Sequence, residues 1–273
     1  MEQKLTAPPR VVFLSSGGVL GDIVLRRLLE SGQFDIVGIV RSRRVLLRRG
    51  GFLRGAIACF ARCGVIYTVY IWLITTFAEA LGWLTKNASI TRRAYDHRIP
   101  VLHTRNVNDE EGLAFLASVR PEVLVLAHFD QPLQTPLCDG QKYAAVNVHP
   151  SLLPTDQGLE PVLHALRTNR MRLGVTLHRT AVNVDAGKIV ATKQLHRMHR
   201  THSQSVLGLM RQLMSLGAEL LVSNVSILPQ ANEGIPQTGP SSYNSWPNGR
   251  QVRQLYRAGH RLLDFRDAKL FFR

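Results

Sequence analysis

The chain has 273 residues, 45% of them hydrophobic and 19% charged. At about 100–200 residues per domain this allows one or two domains with a sizeable core, and the composition excludes wholesale disorder. Lys and Arg number 34 against 19 Asp and Glu, a formal charge of +15, which points to a polyanionic or phosphorylated partner or an anionic membrane surface. Cys59, Cys63 and Cys138 are too few for a disulfide framework. Cys59 and Cys63 lack a second ligand pair, so no zinc site is readable and no metal is expected. The start MEQKLTAPPR has no apolar run of the secretory kind, so a reducing cytoplasm is the expected setting.

Residues 1–9 read as a tail. Val11–Leu14 is a short apolar run that ends in Ser15-Ser16-Gly17-Gly18. Leu20, Ile23, Val24, Leu28 and Leu29 then follow helical spacing, and Phe34–Val40 is a second β-rich run. This strand–helix–strand order predicts a parallel sheet. The pattern resumes after residue 86 with a helix over Ile90–Arg98, a strand over Pro100–His103, a helix over Glu110–Val119 and strands over Val123–Ala127 and Ala144–His149. Proline opens a helix over Pro161–Thr168. Gly174–His178 and Lys188–Gln194 read as strands, and Ser203–Ser223 as a long periodic helix. The fold class is therefore α/β. The unit runs over 10–227, and 228–273 is an extension rich in Gly, Pro, Ser and Asn, then basic and helical towards its end.

Residues 41–86 interrupt this pattern. Arg41, Arg43, Arg44, Arg48, Arg49, Arg54 and Arg62 come without an acid, and Gly64–Leu84 is nearly all apolar apart from threonines and Glu79. Three readings stay open: two helices packed on the domain or on a second subunit, a helical hairpin lying on an anionic membrane, or a membrane span. Glu79 weighs against the last, because a carboxylate is costly in lipid.

The Ser15-Ser16-Gly17-Gly18 turn lies between a strand and a helix start. Its backbone N–H groups can hold a phosphate or carboxylate, with Arg41 at the end of the second strand, so Ser15, Ser16, Gly17 and Arg41 are candidates for an acceptor phosphate. A plain glycine turn is the other reading. The turn is not G-x-G-x-x-G and Arg41 is not an acid, so a dinucleotide site is disfavoured. Asn147 and His149 share parity at a strand's C-terminal end and point to one face. Asp185 stands in a polar turn before the next strand. An amide, an imidazole and a carboxylate at the ligand-binding edge of a parallel sheet can take a proton from an amine and stabilise an oxyanion. A structural, hydrogen-bonded histidine is the alternative.

The run Asn147-Val148-His149-Pro150-Ser151-Leu152-Leu153-Pro154 continues through Gly158 and Pro161 to Gly174-Val175-Thr176, and closes at Asp185-Ala186-Gly187-Lys188-Ile189. It resembles the 10-formyltetrahydrofolate-dependent formyltransferase family, over roughly residues 10–40 and 88–225. The resemblance implies a Rossmann-like fold, 10-formyltetrahydrofolate as formyl donor, and Asn147, His149 and Asp185 as catalytic residues. It implies a pterin site along His128–Leu133 and Ala181–Val184, with Phe129, Gln131, Leu133, Val182 and Val184 as donor-binding residues. The expected acceptor is a primary amine on a small, phosphate-bearing molecule, an amino-sugar nucleotide or a lipid-linked amine. A non-catalytic membrane- or ligand-binding module on the same fold is the alternative.

The chain departs from the family's tRNA-acting branch. Thr155-Asp156-Gln157 stand where that branch has an arginine-rich loop, and the residues after Ile227 are too few for its tRNA-binding barrel, so tRNA is not expected as acceptor. An anionic membrane surface met through 41–86, with attachment to the inner membrane face, and a homodimer are the further partners considered. The Tyr243-Asn244-Ser245-Trp246-Pro247 tail is either a strap on the domain or a lid over the acceptor. His196, His199 and His202 read as solvated, and His178, alternating with Thr176 on a strand, as a strand-edge residue or one that faces the site.

Overall fold

β1 (Arg10–Ser15) is a run of Val, Phe and Leu between a charged start and a serine, and its last five residues are buried. An apolar run without alternation is how a strand covered on both faces reads. The structure is a computed structural model that describes residues 7–43, 52–85, 89–170, 172–195 and 205–268. α1 (Gly18–Ser31) follows the first turn and stops at Gly32, whose φ of 63° suits a left-handed helix end. β2 (Asp35–Ser42) leads to three helices: α2 (Phe52–Cys63), α3 (Val65–Trp72) and α4 (Ala78–Thr85), the last two joined by a π-helical turn at Leu73–Phe77.

The chain then forms α5 (Ile90–Asp96), β3 (Val101–Thr104), α6 (Glu110–Val119), β4 (Val123–Ala127) and β5 (Ala144–His149). A two-residue β6 (Gln157–Gly158), α7 (Pro161–Arg167), β7 (Leu173–Arg179), β8 (Ile189–Leu195) and α8 (Val206–Ser223) follow. The expected elements stand within a few residues of their predicted ends. α8 starts at Val206 because Ser205 Oγ accepts from the Gly208 N–H at 2.9 Å and caps the helix there. Positions 203 and 204, the histidines His196, His199 and His202, and the arginines Arg44, Arg48 and Arg49 lie outside the described residues.

The main sheet has seven strands in the order β3-β2-β1-β4-β5-β7-β8. Strands β3 to β5 are parallel, while β7 and β8 are antiparallel additions. Val11 and Phe13 face one core, shared with α1 and α8. Val12 and Leu14 face the other, shared with α6. Strand order reverses between β1 and β4, and the crevice at such a switch point is where open α/β sheets take ligands. The loops after these two strands are bonded across it: the Ser16 N–H donates to the His128 carbonyl at 2.8 Å and Ser16 Oγ donates to Asp130 at 2.9 Å.

The described part of the insertion packs as helices on this frame, with Tyr67, Tyr70, Ile71, Ile74 and Ala78 buried. Its π-helical turn sits against the start of α1 so closely that a Cβ on Gly18 would collide with the Ile74 carbonyl. The tail returns as a two-residue β9 (Tyr243–Asn244) that pairs with β6, followed by α9 (Gly249–Arg257). At that pairing a Cβ on Gly158, whose φ is 90°, would collide with the Asn244 carbonyl.

Candidate active site

β5 delivers Asn147 and His149 to one face, as strand alternation requires. β7 runs antiparallel beside it in a register that sets Asn147 opposite His178 and His149 opposite Thr176. Asp185 arrives from the turn before β8 in a left-handed backbone, φ 55°. The four side chains meet. His149 Nδ1 lies 3.5 Å from Asp185 Oδ2, and His178 Nε2 lies 3.4 Å from Asp185 Oδ1. Asn147 Nδ2 donates to Asp185 Oδ1 at 3.3 Å and is 3.2 Å from His178 Nε2. The Gly158 N–H donates to Asp185 Oδ2 at 2.8 Å. His149, His178 and Asp185 are all buried.

Burial by itself would raise the Asp185 carboxyl. The charge of His149, the hydrogen bond and charge of His178 and the Gly158 N–H outweigh it and hold the group well below the usual carboxylate range. His149 Nε2 also faces the Asp156 carbonyl at 2.8 Å. Both of these neighbours carry acceptor oxygens. Of the two readings open for His178, strand edge or site-facing, the structure has the second. Its place opposite Asn147 follows from the antiparallel β5–β7 register, and its alternation with Thr176 was the one signal of it in the sequence.

A cavity of about 280 Å³ opens beside this cluster. One wall is the loop after β4 together with residues 180–185. Phe129, Leu133 and Val184 line it, as does His128, whose ring burial lowers to about 4 and so keeps neutral. Two of the residues expected at the donor site have particular surroundings. Val182 is 73% exposed and outside the cavity lining. The Gln131 side chain is turned inward: its Nε2 donates to Ser42 Oγ at 2.7 Å and to the Thr104 carbonyl at 3.1 Å, and its Oε1 accepts from the Val107 N–H at 2.7 Å. Gln131 thus lines the cavity while its side chain ties the loop to the ends of β2 and β3. The other wall comes from α3, the start of α7, α8 and the tail, including Ile71, Glu160, Met214 and Trp246. The tail is thus a strap by its pairing with β6 and a wall of the cavity through Tyr243 and Trp246.

The first turn has a partner within the chain. Its backbone does hold an anion, and the anion is the chain's own. Glu79 Oε2 accepts from the Gly18 N–H at 2.9 Å, and its Oε1 accepts from Ser89 Oγ at 2.8 Å and the Thr91 N–H at 2.9 Å. Burial would raise Glu79, but the Arg41 charge and these hydrogen bonds win and lower it. Ser15 Oγ accepts from the Gly17 N–H at 3.2 Å. Of the phosphate candidates Ser15, Ser16, Gly17 and Arg41, only Ser16 lines the cavity. Among the described residues no group of three or more His, Cys, Asp or Glu is arranged to hold a metal ion.

The fold is that of Rossmann-like α/β proteins, with a polar cluster at the ligand-binding edge of the sheet. The formyl transferase family model matches residues 56–225, more than half of the chain, and the chain belongs to that family. A methionyl-tRNA formyltransferase of Staphylococcus epidermidis is 33% identical over 150 residues, covering 54% of this chain and 47% of its own. The chain thus spans about half the length of the curated relatives it matches. Among solved structures, glycinamide ribonucleotide transformylase 1 of Symbiobacterium toebii superposes with a TM-score of 0.56 at 16% identity, over 86% of this chain and 97% of that one. An N-formyltransferase of Helicobacter canadensis, solved with folinic acid and dTDP-3-aminofucose, gives 0.53 at 14% identity, over 90% and 80%.

Proposed function

We propose that the protein transfers a formyl group from 10-formyltetrahydrofolate to the primary amine of a small acceptor. The observation that carries this reading is the convergence of Asn147, His149 and Asp185 on one edge of a cavity. The family membership and the folinic acid bound by the Helicobacter canadensis relative support a folate donor. The apolar wall of Phe129, Leu133 and Val184 suits a flat ring held by backbone groups. The donor would supply an activated formyl carbon.

The protein's own residues then do the rest. The Asn147 N–H and a His149 N–H turn from their resting partners to the formyl oxygen as negative charge grows there, in a buried setting where such donors are strong. Asp185 would keep His149 oriented and help carry the proton that the amine loses to the folate nitrogen from which the formyl group departs, directly or through water. His178 and the Gly158 N–H hold the Asp185 carboxylate in place. The reading leaves tRNA aside: in the Thr155-Asp156-Gln157 loop, Asp156 pairs with Arg170 at 2.6 Å and so faces a cation of its own chain.

The catalytic unit in this reading is 10–227, with 41–86 inserted and 228–273 as an extension that gives the cavity Tyr243 and Trp246. The insertion leaves Ile57, Phe60, Val65, Ile66 and Val69 exposed on α2 and α3, next to Arg54 and the arginines of 41–49 in the sequence. An apolar face beside a basic stretch of sequence supports attachment to an anionic membrane face.

Calorimetry with 5-formyltetrahydrofolate tests the donor. Binding at micromolar to millimolar Kd, roughly 4–8 kcal/mol, is expected. No binding at millimolar concentration removes the donor assignment. Tetrahydrofolate release against a panel of amines then reads the transfer itself.

A further inference from the structure

Glu160 belongs to none of the machinery described above, yet it lines the same cavity. It precedes α7 in a left-handed backbone, φ 53°, and is 9% exposed. The Tyr67 hydroxyl donates to Glu160 Oε1 at 2.7 Å. Oε2 has no hydrogen-bond partner, and neither does the hydroxyl of the neighbouring buried Tyr70. The surroundings are apolar: Ile71 and Met214 line the same wall, and Trp246 stands edge-on to Tyr67 with ring centroids 6.1 Å apart. A buried carboxylate oxygen left unbonded is costly, and because Glu160 lines the cavity a donor entering there would be favoured. Glu160 is two residues along the chain from Gly158, whose N–H holds Asp185. Its loop therefore joins the two sites.

The first turn limits what that donor brings with it. Glu79 already takes the Gly18 N–H and sits beside Arg41, so the turn that would otherwise offer itself to a substrate phosphate is filled.

We propose that Glu160 is an acceptor-binding residue: its free oxygen receives the protonated amino group of an acceptor whose body is apolar and which places no phosphate at the Ser15–Gly18 turn. This rests on the formyl-transfer reading and names the acceptor class for it. Tyr67 fixes one carboxylate oxygen and leaves the other to the amine, while Ile71, Met214 and Trp246 cover the apolar body. Burial pushes the Glu160 carboxyl up to about 7, against the lowering effect of the Tyr67 hydrogen bond. The titratable groups around it are Tyr67 and Tyr70 on α3, Cys63 at the end of α2 and His164 on α7. Burial and their neighbours keep all four uncharged at neutral pH. The pairing therefore forms as Glu160 ionises, and amine binding strengthens as pH rises from about 6 to 8 while the amine stays protonated.

The test measures binding of 2-phenylethylamine, hexylamine and O-phosphoethanolamine to the full chain, by calorimetry with saturating 5-formyltetrahydrofolate, at pH 6, 7 and 8. The two apolar amines should bind the parent protein, more tightly at pH 8 than at pH 6, and the phosphorylated amine should bind at least tenfold more weakly. Glu160→Gln should lose at least tenfold in apolar-amine affinity and its pH dependence, with 5-formyltetrahydrofolate affinity unchanged. Tyr67→Phe, which leaves the carboxylate in place but removes its hydrogen bond, should move the midpoint of the pH dependence upward. Unchanged amine affinity in Glu160→Gln, no apolar-amine binding by the parent, or preference for the phosphorylated amine overturns the inference. Failure of 5-formyltetrahydrofolate itself to bind strikes the formyl-transfer reading instead, so the two failures are told apart.

Discussion

Glu79 Oε2 accepts a hydrogen bond from the Gly18 N–H at 2.9 Å, across the join between the inserted helices and the first turn of the sheet. One carboxylate thereby satisfies N–H groups at the starts of both α1 and α5 and carries the charge that faces Arg41. The insertion is locked to the frame by the group that the frame would otherwise present to an anion.

Replacing Glu79 with alanine should destabilise the fold by about 3 kcal/mol, since it leaves buried N–H groups and the Arg41 guanidinium without their partner. The carboxyl is lowered in the folded state from its ordinary value of 4.5. Its contribution is therefore present in full above that value and is lost as pH falls through the lower folded one. Urea midpoints of the parent and Glu79→Gln should differ at pH 7 and converge on acidification below about pH 4. Parallel curves across that range would remove the carboxylate from the stability balance.

Asn147→Ala, His149→Ala and Asp185→Asn should each lower kcat by about 10²–10⁴ with the fold intact by circular dichroism. The three act as one unit, so a double variant should lose far less than the product of the singles. Full turnover in Asp185→Asn would take Asp185 out of the proton path.

His178→Ala should reduce kcat by up to about 10²-fold while leaving the affinity for 5-formyltetrahydrofolate within about twofold, because His178 acts by holding Asp185 and Asn147 in place. Its 3.4 Å approach to Asp185 is the basis for this split. Equal losses in folate affinity and turnover would mean a collapsed site instead.

The exposed apolar side chains of α2 and α3 predict sedimentation with vesicles that contain anionic lipid, weakened by salt. Each arginine near such a surface adds about 1 kcal/mol. Deleting the segment is a poor probe, since Glu79 ties it into the fold. Phe60→Glu combined with Ile66→Glu alters only exposed positions and should abolish co-sedimentation at unchanged thermal stability. A parent protein that stays in the supernatant at low salt would assign this face to a protein interface.

The sequence by itself determined the frame and the three central side chains. The apolar runs of Val11–Leu14 and Val123–Ala127, the helix signals and the Asn147–Ile189 motif are local patterns, read from neighbours along the chain. Strand parity alone put Asn147 and His149 on one face. What only the tertiary structure decided are the relations between distant segments. His178 enters the site through the β5–β7 register, Glu79 reaches Gly18 from an insertion 61 positions away, and Glu160 gains its character from Tyr67, 93 positions distant. The resemblance implies Gln131 and Val182 at the donor; packing decides that the Gln131 side chain bonds to Ser42 and that Val182 is exposed. A charge or a hydrogen-bonding group has no fixed role along a chain; its role is set by whichever partners the fold brings within about 3 Å.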